Sequence, residues 1–356
     1  MRILVIGGTG FIGRALVPQL LGAGHEIAVV QRAESTKPVP ASARSIRVDR
    51  RRLADGASAL RDFAPDVVVD LILSSGRQAE ELMDVFRGHA GRVVAISSMD
   101  VYRATAILHE LEGERGELEQ LPLHENSPLR TKLQTYPKSS VRTLQRLFGW
   151  LDDDYDKIPV ERAVLGDSEL PATVLRCPMI YGPGDPLHRL RPLVKRMDDR
   201  QPAIILPLSF AQWRGPRGYV ENVAAAITLA AQSGRAAGRV YNIGERESFS
   251  ELEWARQVAA VARWEGEFVV LPDDEAPAHL RLPGNLRQHW VVDSSRIREE
   301  LDYAEPISRD VAIARTIEWE RAHPPDSELT PFDYAAEDEA LRRAASSRHQ
   351  PARDSA

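Results

Sequence analysis

A glycine-rich stretch directly after the first predicted strand constrains the fold of this chain more than any other feature. Arg2–Ile6 is a short apolar run typical of a strand buried in a parallel sheet, and it leads into Gly7–Gly13, of sequence GGTGFIG. Glycines spaced three apart between a strand and a helix permit a tight turn, a close approach to a pyrophosphate and close helix packing. The helix N terminus adds unpaired N–H groups and a favourable dipole. The stretch therefore predicts a dinucleotide site formed by Gly7, Thr9, Gly10, Phe11, Ile12 and Gly13.

Apolar runs and helix-like patterns alternate along the first half of the chain. The predicted strands are short and mostly apolar, and the predicted helices carry apolar residues at helical spacing. This alternation predicts an α/β fold of the Rossmann type, with a doubly wound parallel sheet. We predict strands at Arg2–Ile6, Glu26–Gln31, Ser45–Val48, Asp66–Leu73, Arg92–Ile96 and Ala172–Arg176, and helices at Phe11–Gly22, Ala79–Arg87 and Ile158–Leu165.

Three parts are predicted along the chain. Residues 1–180 are expected to form an NAD(P)-binding Rossmann domain, and residues 181–325 mainly a smaller substrate-binding part. Some segments of that second part return to the Rossmann core, with strands expected at Val240–Ile243 and Trp290–Val292. Residues 326–356 are predicted to form a polar tail with a helix at Tyr334–Ala345 and disorder in its last ten residues.

The composition excludes several classes of protein. The 356 residues carry a formal net charge of −6, whereas nucleic-acid binding needs a concentrated Lys/Arg surface, so no nucleic-acid partner is expected. No apolar run approaches the ~18–20 residues of a membrane span, and no membrane partner is expected. Cys177 is the only cysteine, so no intrachain disulfide or cysteine-based metal cluster can form, and no metal site is predicted. This cysteine usage suits a reducing cytoplasm.

The end of the second predicted strand bears on the choice between NAD and NADP. In NAD-binding units an acidic residue near this point binds the ribose 2′-hydroxyl, whereas an arginine accommodates a 2′-phosphate. Here the strand is followed by Arg32, and the first acidic residue is Glu34. The missing carboxylate removes repulsion of a phosphate, and Arg32 can add a charge-assisted hydrogen bond. The sequence therefore favours NADP over NAD; the alternative is that Arg32 is a surface residue that stacks on adenine.

Five motifs occur in an order that is specific to one known family. They are Gly7–Gly13, Val48–Arg50, Ile96–Tyr102, Arg176–Gly184 and Arg217–Ala224. On these motifs, the chain from Met1 to about Leu301 resembles the extended short-chain dehydrogenase/reductases, which include the nucleotide-sugar epimerases and dehydratases. The resemblance implies NAD(P)-dependent hydride transfer at a carbonyl or hydroxyl carbon of a small molecule or sugar-like substrate. A homodimer is compatible with it.

The resemblance also implies contacts with cofactor and substrate. Tyr181 and Arg217 are the candidates for the substrate, and relatives often use an arginine near the position of Arg217 for a substrate phosphate. A structural ion pair is the alternative for Arg217. The residues implied at the cofactor are Asp49 at the adenine, Leu71, Ile72 and Leu73 at the adenine and ribose, and Cys177 and Met179 at the nicotinamide.

The catalytic residues of the family are matched only in part. The family's catalytic Ser or Thr lies four residues before the tyrosine of the Ser-Ser-x-x-Val-Tyr pattern, which implies that Ser98 hydrogen-bonds the substrate oxygen. The alternative is that Ser98 satisfies backbone groups at a strand end. The resemblance further implies that Lys157 holds the nicotinamide ribose.

The tyrosine that this family carries four residues before its lysine is absent. Asp153 occupies that position, and the nearest tyrosine, Tyr155, precedes Lys157 by two residues. On a regular helix, residues i and i+2 point to different faces, whereas residues i and i+4 are neighbours. A phenol whose pKa, ordinarily about 10, is not lowered by a neighbouring ammonium is a poor acid/base near neutrality.

Three interpretations of this departure remain open. Tyr155 reaches the site from an irregular helix start, which requires residues 152–156 to be non-helical; or Tyr136 or Tyr102 replaces it; or the chain is an atypical relative with weak or altered chemistry. The first makes the protein a reductase, epimerase or dehydratase in which Ser98 and Tyr155 handle the proton. The last is compatible with a protein that binds NAD(P) for a structural, sensing or partner-binding role.

Overall fold

The computed structural model describes residues 1–111, 117–328 and 331–348. The described strands are β1 (Arg2–Ile6), β2 (Glu26–Gln31), β3 (Arg44–Arg47), β4 (Val67–Asp70), β5 (Arg92–Ser98), β6 (Ala172–Cys177), β7 (Met179–Tyr181), β8 (Ala203–Pro207), β9 (Arg217–Tyr219), β10 (Val240–Asn242) and β11 (Glu267–Leu271). The described α-helices are α1 (Phe11–Gly22), α2 (Ala57–Arg61), α3 (Gly76–Phe86), α4 (Arg103–Leu108), α5 (Lys138–Leu147), α6 (Lys157–Leu165), α7 (Arg191–Asp198), α8 (Leu208–Gln212), α9 (Val220–Gln232), α10 (Glu251–Ala262), α11 (Ser295–Leu301), α12 (Arg309–Ala322) and α13 (Tyr334–Arg348).

Seven parallel strands form the main sheet, in the order β10-β6-β5-β4-β1-β2-β3. The chain progresses in one direction from β1 to β3 and in the other from β4 to β6. The order therefore reverses between β1 and β4, which is the point where doubly wound sheets bind ligands beyond the carboxyl ends of their strands. The predicted fold class is confirmed.

The central strands of this sheet are apolar on both faces because helices cover both faces. Ile3 and Val5 belong to one buried cluster, whereas Leu4 and Ile6 belong to the other. Neighbouring residues of a strand point to opposite sides of the sheet, so a continuous apolar run is what a strand between two helical layers needs. α1 packs on α9 in one layer, and α3 packs on α6 in the other.

The predicted elements of the sheet agree with the structure to within a few residues, with one correction. Trp290–Val292 is not a strand, because Val292 makes only an isolated bridge to Leu123. α11 follows three residues later, at Ser295. Sequence patterns did not predict two small parallel sheets, β7 with β9 and β8 with β11. Each pairs segments separated by long stretches of chain, and strands of three to five residues carry little periodicity of their own.

The predicted C-terminal helix is confirmed as α13. Its Glu337 forms a buried ion pair with Arg196 of α7 at 2.6 Å, and Ala340 is only 2% exposed. The helix therefore packs on the β8–β11 region. The expected disorder falls largely on residues 349–356, which lie outside the described residues. Within the described part, no helix is both long and apolar enough to cross a membrane.

Candidate active site

A cavity of about 500 Å³ lies at the carboxyl ends of β1 and β2, beside the residues that follow β4. Its lining does not include Leu73, which is fully buried and accepts a hydrogen bond from Lys157 through its carbonyl oxygen. Cys177 is likewise buried outside this lining, and burial raises the pKa of its thiol to about 12. The predicted cofactor residues that do line this nucleotide cavity are Gly7, Thr9, Gly10, Phe11, Ile12, Gly13, Arg32, Asp49, Leu71 and Ile72.

The glycine turn of the nucleotide cavity fits a pyrophosphate. Gly7 has a φ of 84°, a conformation that favours glycine. A Cβ on Gly13 would overlap the backbone of Gly7 and Gly8, so α1 can approach β1 this closely only with glycine at that position. Gly10 is the N-cap of α1, and no side chain caps the helix start. Its first N–H groups can therefore bind the phosphates.

Six basic side chains from the described part of the chain line the nucleotide cavity. Among its described lining residues, Asp49 is the only carboxylate, and it pairs with Arg51 at 2.8 Å. The hydrogen bonds from Arg51 lower the pKa of Asp49. Arg32 is 48% exposed and lies 3.6 Å from Glu34. The basic lining residues are Arg14, Arg32, Lys37, Arg50, Arg51 and Arg146.

A buried carboxylate brings two of the candidate tyrosines together. Tyr155 donates a hydrogen bond to Asp100 Oδ2 at 3.3 Å, and Tyr136 approaches the same oxygen at 3.5 Å. The two rings lie 5.9 Å apart between centroids. Lys157 Nζ lies 5.8 Å from the centre of the Tyr155 ring. We refer to Asp100, Tyr136, Tyr155 and Lys157 as the Asp100 cluster.

Asp100 was not among the predicted site residues, although it lies inside the Ile96–Tyr102 motif. It is 1% exposed, and its Oδ1 atom is buried without a hydrogen-bond partner among the described residues. Burial raises its pKa, against the opposing effect of Arg130 and Lys157. The sequence did contain a signal for Asp100, because it is a carboxylate just beyond a buried strand. Folds of this type place their sites at the carboxyl ends of parallel strands.

The raised pKa of Asp100 predicts a pH-dependent stability. The pKa of Asp100 is about 3.8 in the unfolded chain and higher in the folded protein. Its contribution to stability is therefore fully present below pH 3.8 and is lost as the pH rises through the pKa of the folded state. The free energy of unfolding of the wild type should therefore fall with rising pH relative to that of Asp100→Asn. Urea denaturation of both proteins across the acidic to neutral range measures this difference.

The exposed Asp55, at 66% side-chain exposure, provides the control. Asp55→Asn should follow the wild type closely over the same pH range. Parallel curves for the wild type and Asp100→Asn would show that burial does not hold a proton on Asp100.

Lys157 is buried against the residues at the carboxyl ends of β4 and β5. Its side chain is 4% exposed, and Nζ donates to the carbonyl oxygens of Leu73 and Ile96, the latter at 3.1 Å. An ammonium has three donors, and these bonds use two of them. Burial lowers the pKa of Lys157, whereas Asp100 opposes that shift. Lys157 does not line the nucleotide cavity, but Trp150, whose ring centre lies 6.0 Å from Nζ, does.

The two serines at the end of β5 have different surroundings. Ser98 is half-buried, and its Oγ accepts a hydrogen bond from the backbone N–H of Asp100 at 3.2 Å. Ser97 is buried and donates to Glu161 at 2.5 Å. Ser98 thus accepts a hydrogen bond from a backbone group at the strand end, which was the alternative to a role at the substrate oxygen. It also lies two residues before Asp100.

Tyr102 lies outside the Asp100 cluster. It is fully buried, donates to Asn242 at 2.6 Å and accepts from Arg176 at 3.0 Å. Arg176 in turn pairs with Glu161 at 2.7 Å, and both side chains are 4% exposed. Tyr102 therefore belongs to a buried polar network that ties β6 to α6.

The segment that carries Tyr155 is non-helical, as the first interpretation requires. Residues 152–156 form a turn and extended backbone, and α6 begins only at Lys157. Asp156 is its N-cap and accepts from the backbone N–H of Ile158 at 2.8 Å. The same carboxylate forms a bidentate pair with Arg130, at 2.9 and 2.8 Å, in which the side chains are 2% and 1% exposed. Tyr155 lies two residues before α6, outside the helix that Asp156 caps, so its side chain can turn towards Asp100.

A second cavity, of about 550 Å³, adjoins the Asp100 cluster through Tyr136. We refer to it as the apolar cavity, and the predicted residues Met179, Tyr181 and Arg217 line it. Tyr181 is buried and donates to Glu245 at 2.9 Å. Arg217 pairs with Glu251 at 2.5 Å, with both side chains 11% exposed. The structure thus contains the ion pair that was the alternative for Arg217.

The Asp100 cluster lies between the two cavities. Tyr136 lines the apolar cavity, whereas Trp150, next to Lys157 Nζ, lines the nucleotide cavity. The described residues contain no group of three or more His, Cys, Asp or Glu side chains that could hold a metal ion. The arrangement can exchange a proton through Tyr155 or Tyr136 beside a bound dinucleotide.

Comparison with protein families identifies the chain. The sequence profile of the NAD-dependent epimerase/dehydratase family matches residues 3–128 and 155–244, which is more than half of the chain. The chain belongs to this family. The match stops before residues 129–154, which include α5, and resumes at Tyr155. The prediction of family membership is therefore confirmed.

Curated members of the family are similar over most of their length. The chain is 23% identical to a probable dTDP-glucose 4,6-dehydratase of Sinorhizobium fredii (strain NBRC 101917 / NGR234), over 90% of this chain and 92% of that protein. It is 27% identical to a 2-alkyl-3-oxoalkanoate reductase of Stenotrophomonas maltophilia (strain K279a), over 73% and 75% of the two chains.

Solved structures show the same fold. The structure of MoeE5 in complex with UDP-glucuronic acid and NAD has a TM-score of 0.63 at 21% identity, over 90% of this chain and 99% of that chain. The NAD complex of dTDP-glucose 4,6-dehydratase from Bacillus anthracis str. Ames also has a TM-score of 0.63, at 18% identity, over 91% and 97%. Its membership of the NAD-dependent epimerase/dehydratase family makes the chain an NAD(P)-dependent enzyme of the hydride-transferring group, with a nicotinamide dinucleotide as cofactor.

Proposed function

We propose that this family member is an NADP-dependent oxidoreductase in which Tyr155 exchanges the proton at the substrate oxygen. The position of the Asp100 cluster carries the proposal: it brings the Tyr155 ring within 5.8 Å of the Lys157 ammonium between the two cavities, although the two residues are only two apart in sequence. When bound, the nicotinamide supplies or accepts the hydride that interconverts a carbonyl and a hydroxyl carbon.

The environment of Tyr155 keeps its phenol protonated. Burial and the nearby Asp100 carboxylate raise the pKa of Tyr155 well above its usual value, which keeps the phenol protonated at neutral pH. A protonated phenol can donate to a substrate oxygen during reduction, but a raised pKa makes it a weaker acid, so the proposal requires the Lys157 ammonium to stabilise the phenolate that donation leaves. Asp100 accepts the hydrogen bond from Tyr155 and so orients its hydroxyl.

Ser98 and Lys157 complete the proposed machinery. Ser98, at the end of β5, would hydrogen-bond the substrate oxygen together with Tyr155. Lys157 would use its third donor for the nicotinamide ribose while two backbone carbonyls hold its ammonium in place. Tyr136, which contacts the same Asp100 oxygen, is the alternative proton donor. Turnover assays with NADPH and with NADH, against ketones and against nucleotide sugars, test the proposed reaction.

The charge of the nucleotide cavity supports NADP. Among the described residues that line the cavity Asp49 is the one carboxylate, and it is neutralised by Arg51; Glu34, 3.6 Å from Arg32, lies outside the lining. Arg32 and Lys37 stand at the same edge of the cavity. A phosphate placed there gains charge-assisted hydrogen bonds that a 2′-hydroxyl does not.

Arg32→Ala should weaken NADP binding by about 1.5–3 kcal/mol, or about 10- to 150-fold in the dissociation constant, because a hydrogen bond to a charged phosphate is lost. The affinity for NAD should change much less. Isothermal titration calorimetry with both nucleotides measures the two effects. Arg52→Ala is the matched control, because Arg52 is 76% exposed and does not line the cavity. Equal losses of NAD and NADP affinity in Arg32→Ala would overturn the cofactor assignment.

We also propose that the chain has a cofactor-binding part and a substrate-binding part. Residues 1–180 would bind the cofactor, and residues 181–325 would supply most of the substrate cleft, with β10 returning to the main sheet. We place the protein in the cytoplasm, because its one cysteine is buried and free, as suits a reducing compartment. A role in which the cofactor is bound without turnover is not favoured, since the family match includes Tyr155 and Lys157 and the fold brings them together.

A further inference from the structure

The walls of the apolar cavity consist mainly of aliphatic and aromatic side chains. They come from β8, α7, α8, α10 and the 280–290 segment, and include Leu193, Ile205, Phe210, Trp254, Leu280 and Leu286. At about 550 Å³ the cavity lies in the range of ~300–1,000 Å³ in which proteins bind small organic molecules. At its outer end Leu282 is 49% exposed, so the apolar lining continues to the surface.

Each arginine that lines the apolar cavity in the described structure is already paired with a carboxylate. Arg189 pairs with Asp185 at 2.7 Å, Arg196 with Glu337 at 2.6 Å and Arg217 with Glu251 at 2.5 Å. The Arg217–Glu251 pair is also covered by Trp254, whose ring centre lies 4.6 Å from the guanidinium carbon. These pairs neutralise the charge of the arginines within the wall.

A diphosphate would meet an unfavourable environment in such a cavity. Its two negative charges lose hydration on entry and need cations or several donors in return. Arg196, in a buried bidentate pair, and Arg217, in a mostly buried pair, cannot supply this compensation without leaving Glu337 and Glu251 uncompensated. Arg189 is 32% exposed, and its charge is already matched by the buried Asp185. An apolar group, in contrast, loses no hydrogen bonds with water and fills space beside Leu and Phe side chains.

We propose that the substrate has an apolar alkyl or aryl body, which the apolar cavity binds, and that nucleotide sugars are not its substrates. Its carbonyl or hydroxyl group lies at the Tyr136 end of the cavity, beside the Asp100 cluster. This inference rests on the proposed function for the position of the reacting group, but the recognition of the apolar body depends on the cavity alone. The ion pairs at Arg196 and Arg217 act as structural parts of the wall.

Binding can be measured without turnover, because Trp213, Trp254 and Trp290 line the cavity and report on its occupancy by fluorescence. Straight-chain 2-ketones of increasing length should bind about fourfold more tightly with each added methylene until the cavity is filled. UDP-glucose and dTDP-glucose should produce no saturable change at concentrations that saturate the longer ketones. Saturable binding of either nucleotide sugar with an affinity above that of the longest ketone would overturn the proposal.

Two exposed leucines provide a matched pair of variants. Leu282→Gln, at the mouth of the cavity, should weaken binding of the longest ketone about three- to tenfold, because it removes part of the apolar contact. Leu208→Gln, at a leucine that is 43% exposed and lies outside the lining, should leave binding unchanged. Equal effects of the two variants, or none of either, would contradict the assignment of this cavity.

The same titrations separate this inference from the proposed function. NADP binding without ketone binding would overturn the inference and leave the proposed oxidoreductase standing. Length-dependent ketone binding by a protein that binds neither NADP nor NAD would overturn the proposed function and leave the apolar cavity assigned.

Discussion

Replacing Tyr155 with phenylalanine should slow turnover about 10²–10⁴-fold, which is the usual effect of removing a general acid. The exchange removes only the hydroxyl that lies 3.3 Å from Asp100 and keeps the ring beside Tyr136 and Lys157. Tyr155 does not line the nucleotide cavity, so the dissociation constant of NADP should stay nearly unchanged. The turnover number, followed by the absorbance of the reduced nicotinamide, and calorimetry with NADP measure the two quantities.

Tyr136→Phe is the matched control because it removes a hydroxyl that approaches the same carboxylate oxygen. If Tyr155 is the donor, Tyr136→Phe should lose much less activity. A large loss in Tyr136→Phe with near-normal turnover in Tyr155→Phe would transfer the proton-donor role to Tyr136. Lys157→Met should differ from both, because a residue that holds the ribose changes cofactor affinity as well as the rate.

Removing the guanidinium of Arg130 should lower the free energy of unfolding by about 3–5 kcal/mol, the usual cost of breaking a buried ion pair. Arg130→Met leaves the Asp156 carboxylate buried without its bidentate partner. It also removes the hydrogen bond from Arg130 to the backbone carbonyl of Asp100 at 2.8 Å. Urea or thermal denaturation measures the loss.

Two further variants show whether the uncompensated charge is the cause. Arg52→Met breaks an exposed pair with Asp55 and should cost no more than about 1 kcal/mol. The double variant Arg130→Met with Asp156→Asn should be more stable than Arg130→Met alone, since no carboxylate is then left buried and unpaired. A cost below about 1 kcal/mol for Arg130→Met would show that the pair does not hold the segment that carries Tyr155.

Parts of the site were predictable because they depend on short segments of chain. The turn between β1 and α1 needs glycine at Gly7 and Gly13 for reasons of backbone conformation and close packing, and both requirements are visible in seven residues. The parallel sheet was predictable in the same way, since strands covered on both faces are continuous apolar runs. Arg32 lies one residue after β2, so its place at the nucleotide cavity also follows from local sequence.

The proton-transfer site depended on contacts between distant segments. Asp100 meets Tyr136 across 36 residues and Tyr155 across 55, and no local periodicity encodes such distances. The departure from the family's Tyr/Lys spacing made the sequence ambiguous among three tyrosines. The tertiary structure places Tyr102 in a buried network with Arg176 and Asn242, and it places Tyr136 and Tyr155 at one carboxylate.

The sequence by itself determined the nucleotide-binding half of this protein, because a glycine turn, a buried strand and a helix start without a side-chain cap each impose their geometry within a few residues. Only the tertiary structure decided what faces that nucleotide. Arg217 has the same sequence context whether it binds a phosphate or pairs with Glu251, which lies 34 residues away, and packing against α10 selects the pair. The charge available to a substrate is set by such long-range pairings, which local sequence does not specify.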